Sequence, residues 1–196
     1  MHHVFRAVAR SFVFAALATV CFSSEAAQAK LPRLRIAGVV RDRDKKFTGT
    51  DYDNAEQHLV FRIKVANEDF QDHVGLKLKF IVIGECFHHE HKNGTLFTVL
   101  RSYELPFDIP KSGTAELVTP AYVTGFDTTD AKWGARYYAH AIVVRDKDGT
   151  VCLQDSSKAS WIKDYPTVEG LEPKKVWDKN FKPVEVDIFY RDKDPA

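Results

Sequence analysis

Apolar residues recur at every second position in a series of short runs along this chain. Leu34, Ile36, Gly38 and Val40 alternate with Arg33, Arg35 and Arg41. Leu59, Phe61, Ile63 and Val65 alternate with His58, Arg62 and Lys64. A period of two turns one side of a strand to a core and the other to water. In Leu76, Leu78, Phe80 and Val82 the intervening residues are lysines at first, then Ile81 and Ile83. A strand that becomes apolar on both faces is expected in the middle of a sheet, covered on both sides for part of its length. Further strands are expected over 95–103, 114–123, 135–145 and 150–154, with a last one over 184–190. That rhythm gives about eight strands and no amphipathic helix, the pattern of an all-β sandwich or barrel.

The breaks between the runs carry turn chemistry. Asn93-Gly94 and Asp148-Gly149 both suit the positive φ of a tight hairpin turn. Residues 156–183 differ from the rest. Pro166, Pro173, Pro183 and Gly170 interrupt any regular element, while Trp161, Tyr165, Trp177 and Phe181 are scattered among charges. This segment is expected to wrap the sandwich and bury its aromatic rings against it. Three stretches, "VVRDRDKK", "VVRDKDGT" and "FYRDKDPA", share a mixed-charge ending. Each places a cation between its aspartates, which suits a soluble strand end better than a calcium loop.

"YYAHAIVVRDKDGTV", Tyr137 to Val151, resembles the penultimate strand and hairpin of fibronectin type III and other immunoglobulin-like sandwiches. Tyr138, Ile142 and Val144 fit the tyrosine and the alternating apolar positions of that strand. "LVFRIKVANEDF", Leu59 to Phe70, is similar to an early core strand of the same class. The resemblance implies an immunoglobulin-like antiparallel β-sandwich with an irregular C-terminal wrap. It implies no activity, because this fold hosts many unrelated functions.

The N-terminus sets the compartment. Arg6 and Arg10 precede an apolar run of twelve, Ser11 to Phe22, and Ala27-Gln28-Ala29 fits a small-x-small cleavage site. The run is far short of the roughly 20 residues a membrane span needs. A secretory signal peptide over residues 1–29 is expected, leaving residues 30–196 as one domain in the periplasm or outside the cell. Val20 before Cys21 is not the small residue that lipid attachment requires. Of the chain's 28 Lys and Arg and 27 Asp and Glu, the leader holds Arg6, Arg10 and Glu25, so the remainder is neutral. A neutral chain argues against nucleic acid as partner, which calls for a basic surface.

One stretch has the residue types of metal chemistry. "GECFHHEHKNG", Gly84 to Gly94, holds three of the eight histidines within four positions. Zinc, copper and nickel take His nitrogen, Cys sulfur and carboxylate oxygen. Pairing the hairpin through a two-residue turn at Asn93-Gly94 sets His91 opposite Leu96, His89 opposite Thr98 and Cys86 opposite Arg101. The partner strand then supplies no ligand. The candidate set is His89 and His91 on one face, with His88 and Glu90 on the other, and needs a further ligand from another strand. Gly84 can mark a bulge that shifts this register. His140, in the middle of an apolar strand, reads as a core histidine with its hydrogen bonds satisfied.

Two cysteines follow the leader, Cys86 and Cys152, and export favours a disulfide between them. The expected strand order opposes it. With 74–88 antiparallel to 135–145, Cys86 lies far from the turn that precedes Cys152, and a bridge needs Cα atoms within about 7 Å. The pairing stays open at this point. No nucleophile elbow or phosphate-cradling loop is present. The sequence therefore supports an exported, non-catalytic β-sandwich that acts through a surface, as a binding, adhesion or envelope-assembly module with an unidentified protein or glycan partner. A transition-metal-binding protein using the cluster at 86–91 is the first alternative. The second is a carbohydrate-binding module that stacks sugars on Trp133, Trp161 or Trp177.

Overall fold

The computed structural model describes residues 31–47, 54–88, 95–127 and 133–186. Residues 1–30, with the expected signal peptide, the part of the histidine stretch from His89 to Gly94 and the last ten residues lie outside that set, and so does most of the expected strand at 184–190. Among the described residues ten strands form two antiparallel sheets that face each other as an all-β sandwich. One sheet holds β1 (Leu34–Phe47), β2 (Asn54–Asn67), β5 (Thr114–Val118) and β6 (Tyr122–Asp127). The other runs in the order β10-β9-β4-β3-β7-β8. Its members are β3 (His73–Cys86), β4 (Leu96–Ile109), β7 (Ala135–Arg145), β8 (Val151–Ser156), β9 (Val176–Trp177) and β10 (Pro183–Val184). Among the described residues no helix is long and apolar enough to cross a membrane.

The alternation seen in the sequence builds the core directly. Leu59, Phe61, Ile63 and Val65 of β2 face Leu76, Leu78, Phe80 and Val82 of β3 across the gap between the sheets. Phe61 and Phe80 meet with ring centroids 4.9 Å apart. Burying each such side chain contributes about 1.5–3 kcal/mol relative to leaving it in water. β3 lies between β4 and β7, as its two apolar faces require. Its other face carries Ile81 and Ile83 into a second cluster with Ala141, Val143, Tyr165, Val168 and Trp177.

That second cluster is roofed by the irregular segment. A 3₁₀ turn at Ala159–Asp164 leads into α1 (Tyr165–Glu169). Pro166 opens this short helix instead of blocking one, because the first helical turn needs no N–H from its residue. Trp161 packs edge-on to Phe97 and Phe181, at 5.6 Å from each ring. The expected wrap is therefore present, and its aromatic rings cover the outer face of β3, β4 and β7.

Two expectations need correction. The single strand expected over 114–123 is two strands, both paired to β2, with a break at Thr119-Pro120. Pro120 has no N–H for the ladder. Thr119 bridges the break: its N–H donates to Phe61 O at 2.9 Å, and its Oγ1 accepts from Phe61 N at 3.0 Å. The register of the β3–β4 hairpin also differs. Cys86 pairs with Leu96 and Gly84 with Thr98, where a two-residue turn at Asn93-Gly94 would have set Cys86 opposite Arg101; among the described residues the ladder ends at the Cys86–Leu96 pair. Leu96 to Leu100 is buried on both faces. Opposing this run to Ile81–Cys86 keeps it buried, whereas the expected register would have set Leu96 and Phe97 against His91 and Glu90.

The same topology separates the cysteines. Cys86 pairs with Ala135 at the start of β7. Cys152 sits in the β8 irregularity between the partners of Val144 and Arg145 at the other end of that strand. Ten residues of strand separate the two ends, on the order of 30 Å at ~3.3 Å per residue. The two thiols are not joined.

Candidate functional site

The sandwich ends in loops, and one end carries an apolar tip on a braced support. The β2–β3 loop runs from Glu68 to Asp72, between Asn67 and His73. Its Phe70 is 92% exposed, and Val74, at the start of β3, is 66% exposed. Most large apolar side chains of the described residues are covered, so an aromatic ring standing almost wholly in water is unusual here.

The backbone beneath Phe70 is fixed by polar groups that are themselves buried. Asn67 and Asp69 are only 4% and 7% exposed. Asn67 Oδ1 accepts the Asp69 N–H at 2.9 Å, a local turn that asparagine favours. The Asn67 amide donates to Gln71 O and to Pro110 O, both at 2.9 Å. Asp69 Oδ2 accepts the Arg33 N–H at 2.7 Å and lies 3.1 Å from His73 Nε2. Ser112 N donates to Asp69 O at 2.9 Å. Two outer carboxylates extend the brace: Asp72 accepts from Lys111 N and Asp108 from Gly75 N, each at 2.7 Å. Three chain segments are thus tied around one loop, and among the described residues none covers the Phe70 ring.

Removing the Asp69 carboxylate would strand the Arg33 N–H and the His73 ring together. Each buried group left unpaired costs about 1–3 kcal/mol, so Asp69→Ala is expected to lower unfolding stability by about 2–4 kcal/mol. Urea unfolding measures this, and a loss under 1 kcal/mol would show that the brace contributes little.

The residues singled out from sequence fall in several places. His89, Glu90 and His91 lie outside the described residues. His88 follows β3 and is half-buried. Among the described residues no group of three or more His, Cys, Asp or Glu side chains is arranged to hold a metal. Trp177 is 5% exposed, which takes it from the set of sugar-stacking rings, and Trp161 is half-buried among Phe97, Tyr138 and Phe181. Trp133 is half-buried.

His140, expected as a core histidine, is half-buried at the edge of the core, and it sits beside Tyr137 because of a β-bulge. Ile83 pairs with Ala139 but Gly84 pairs with Tyr137, so Tyr138 is the extra residue. The bulge turns residues 137 and 140 to the same side of β7. Tyr137 Oη lies 2.8 Å from His140 Nδ1, and the imidazole stacks on Phe80 at 5.3 Å. Desolvation there pushes the His140 pKa down to about 4, with Asp155 opposing that and Arg41 adding to it. Burial also raises the Tyr137 pKa. The neutral imidazole thus lies against Phe80 of its own sheet and Phe61 of the facing one.

Sequence reasoning passed over Phe70. The signal was "NEDFQD", one aromatic residue inside a polar turn between two alternating runs. Such a residue has no strand face to serve.

No protein-family model matches the chain, and no curated protein matches it. A calcium-binding mutant of Bacteroides uniformis β-glucuronidase 2 is similar at a TM-score of 0.37, with 14% identity over 61% of this chain. A Bacteroides uniformis β-glucuronidase gives 0.35, with 13% identity over 64% of this chain. The chain spans about 12% of the length of each. A protein from Akkermansia muciniphila gives a TM-score of 0.36, with 10% identity over 68% of this chain and 74% of that one. Likeness at these scores says nothing of what this chain binds or does.

Proposed function

We propose that this β-sandwich is an exported, non-catalytic binding module that engages a partner at the cell envelope through the end of the sandwich formed by the β2–β3 loop. The observation that carries the reading is Phe70, 92% exposed on a loop held by buried hydrogen bonds. An aromatic anchor on a rigid loop can be buried by a partner with little ordering cost, and such anchors dominate binding energy at interfaces. The leader pattern around Arg6, Arg10 and Ala27-Gln28-Ala29 supports export. Tyr138, Ile142 and Val144 on β7 support the immunoglobulin-like form of the sandwich.

The test is binding of purified protein to isolated envelopes of the organism that makes it, compared with Phe70→Ser. Burial of a phenylalanine ring is worth about 1.5–3 kcal/mol, so the variant is expected to bind tenfold or more weakly. Its unfolding midpoint should not change, since an exposed side chain contributes within about 0.5 kcal/mol of nothing. Saturable binding that survives the substitution would remove this loop as the contact.

A further inference from the structure

A second surface, independent of the Phe70 loop, lies on the outer face of the six-stranded sheet where the wrapping segment stops. Along β3 the outward positions read Lys77, Lys79, Ile81 and Ile83. α1 covers the isoleucines and ends at Glu169. Beyond it the face opens as a cleft of about 260 Å³ lined by Lys77, Lys79, Glu104, Arg145, Asp146, Lys147, Gly149 and Glu169.

The charges in this cleft are unevenly matched. Glu169 Oε2 takes Arg145 Nη2 at 2.7 Å, and its Oε1 lies 3.8 Å from Lys79 Nζ. Asp146 is occupied at the turn, where its Oδ1 accepts the N–H of Asp148 at 2.9 Å and of Thr150 at 2.8 Å. Lys77 sits directly across from Arg145 in the β3–β7 register. Like charges opposed across a ladder cost stability. Among the described residues neither Lys77 nor Lys147 has a carboxylate within ion-pairing distance. Lys147 lines the cleft from the β7–β8 turn, with its Cβ 3.5 Å from where a side chain on Gly75 would begin. Glu104, opposite Lys79 on β4, is with Asp146 and Glu169 one of the three carboxylates of the lining, and its charge opposes a bound anion.

We propose that this cleft binds a divalent oxyanion group, a phosphate or sulfate ester, between Lys77, Lys147 and the Arg145 guanidinium. Such a group would supply Lys77 and Lys147 with the counter-charge they lack, beside an Arg145 that Glu169 already pairs. Lysine ammonium groups serve as point charges for oxyanions, and the contact is screened by salt.

The experiment is titration of the full chain with inorganic phosphate and, separately, inorganic sulfate at low ionic strength, followed by backbone-amide NMR. Potassium chloride at matched ionic strength is the control. The expected result is saturable shifts confined to residues 75–79 and 145–150. Lys77→Gln/Lys147→Gln together should weaken binding about tenfold, Lys163→Gln should leave it unchanged, and Glu104→Gln should tighten it. A preference for phosphate or for sulfate would identify which ester the cleft favours. Shifts reproduced by chloride, or binding unaltered in the double variant, would overturn the proposal. Because Lys77 and Lys147 are exposed and unpaired, the variants are expected to fold, and their unchanged spectra elsewhere would verify it.

Discussion

Replacing Gly134 with alanine is expected to destabilise the fold by about 3–5 kcal/mol. Gly134 has φ of +77°, the left-handed region that side chains rarely occupy. A Cβ built there would lie 2.2 Å from Gly125 O and 3.0 Å from Phe126 Cα. Both obstacles are backbone, so no rotamer change can relieve them. The close approach exists because this is where the sheets meet: Gly134 bridges Phe126 of β6, and Asp127 N donates to Trp133 O at 2.9 Å. Thr124 Oγ1 adds a 2.6 Å bond to Ala135 O beside it. Gly84→Ala is the informative comparison. Its Cβ would meet the Cγ and a Cδ of the buried Leu100 at 2.8 Å, side-chain atoms that have to shift but are not backbone. A cost of about 1–2 kcal/mol is expected there. Equilibrium urea unfolding of both variants checks the contrast. A Gly134→Ala variant within 1 kcal/mol of the parent would mean the sheets do not close at this corner.

Acid should weaken the protein through His140. The native imidazole stays neutral down to about pH 4 because it is desolvated between the sheets. In the unfolded chain a histidine takes its proton near pH 6.5. As pH falls from about 6.5 to 4, the unfolded state therefore gains a proton that the native state refuses. Unfolding stability declines across that window by about 3 kcal/mol and is fully restored above it. The groups facing His140 are the Phe61 and Phe80 rings, the Tyr137 hydroxyl, the Arg41 guanidinium 4.4 Å over the Tyr137 ring, and Asp155. Asp155 favours the proton and Arg41 opposes it, so neither reverses the desolvation that dominates. Urea midpoints of the parent and His140→Gln, measured from pH 7 to pH 4, should converge as pH falls, since the glutamine cannot titrate. Parallel curves would show that His140 does not carry the acid sensitivity.

Much of the fold was legible because a strand's faces are written locally. Period-two alternation located β1, β2, β3, β7 and β8, and the shift from lysine to isoleucine at Lys79 and Ile81 placed β3 between neighbours with a roof over one end. The proline-rich segment declared itself irregular, and its rings went where rings in a charged segment must go, onto an uncovered apolar face. What local pattern could not show was which residue faces which. The β3–β4 register follows from matching the doubly buried runs Ile81–Cys86 and Leu96–Leu100, not from the Asn93-Gly94 dipeptide that signalled a tight turn. The split of 114–123 followed from Pro120, a signal that was present and given too little weight.

The sequence by itself determined the alternation, the two-faced central strand and the apolar surface available for burial, because each depends on neighbours along the chain. Tertiary structure alone decided the rest. It set the Cys86–Cys152 separation, the bulge that turns Tyr137 beside His140, the sheet corner that admits only Gly134, and the brace under Phe70. Each of these depends on the alignment of segments distant in sequence. That alignment is fixed when the two sheets pack, by the burial of many side chains at once, and no single stretch of chain encodes it.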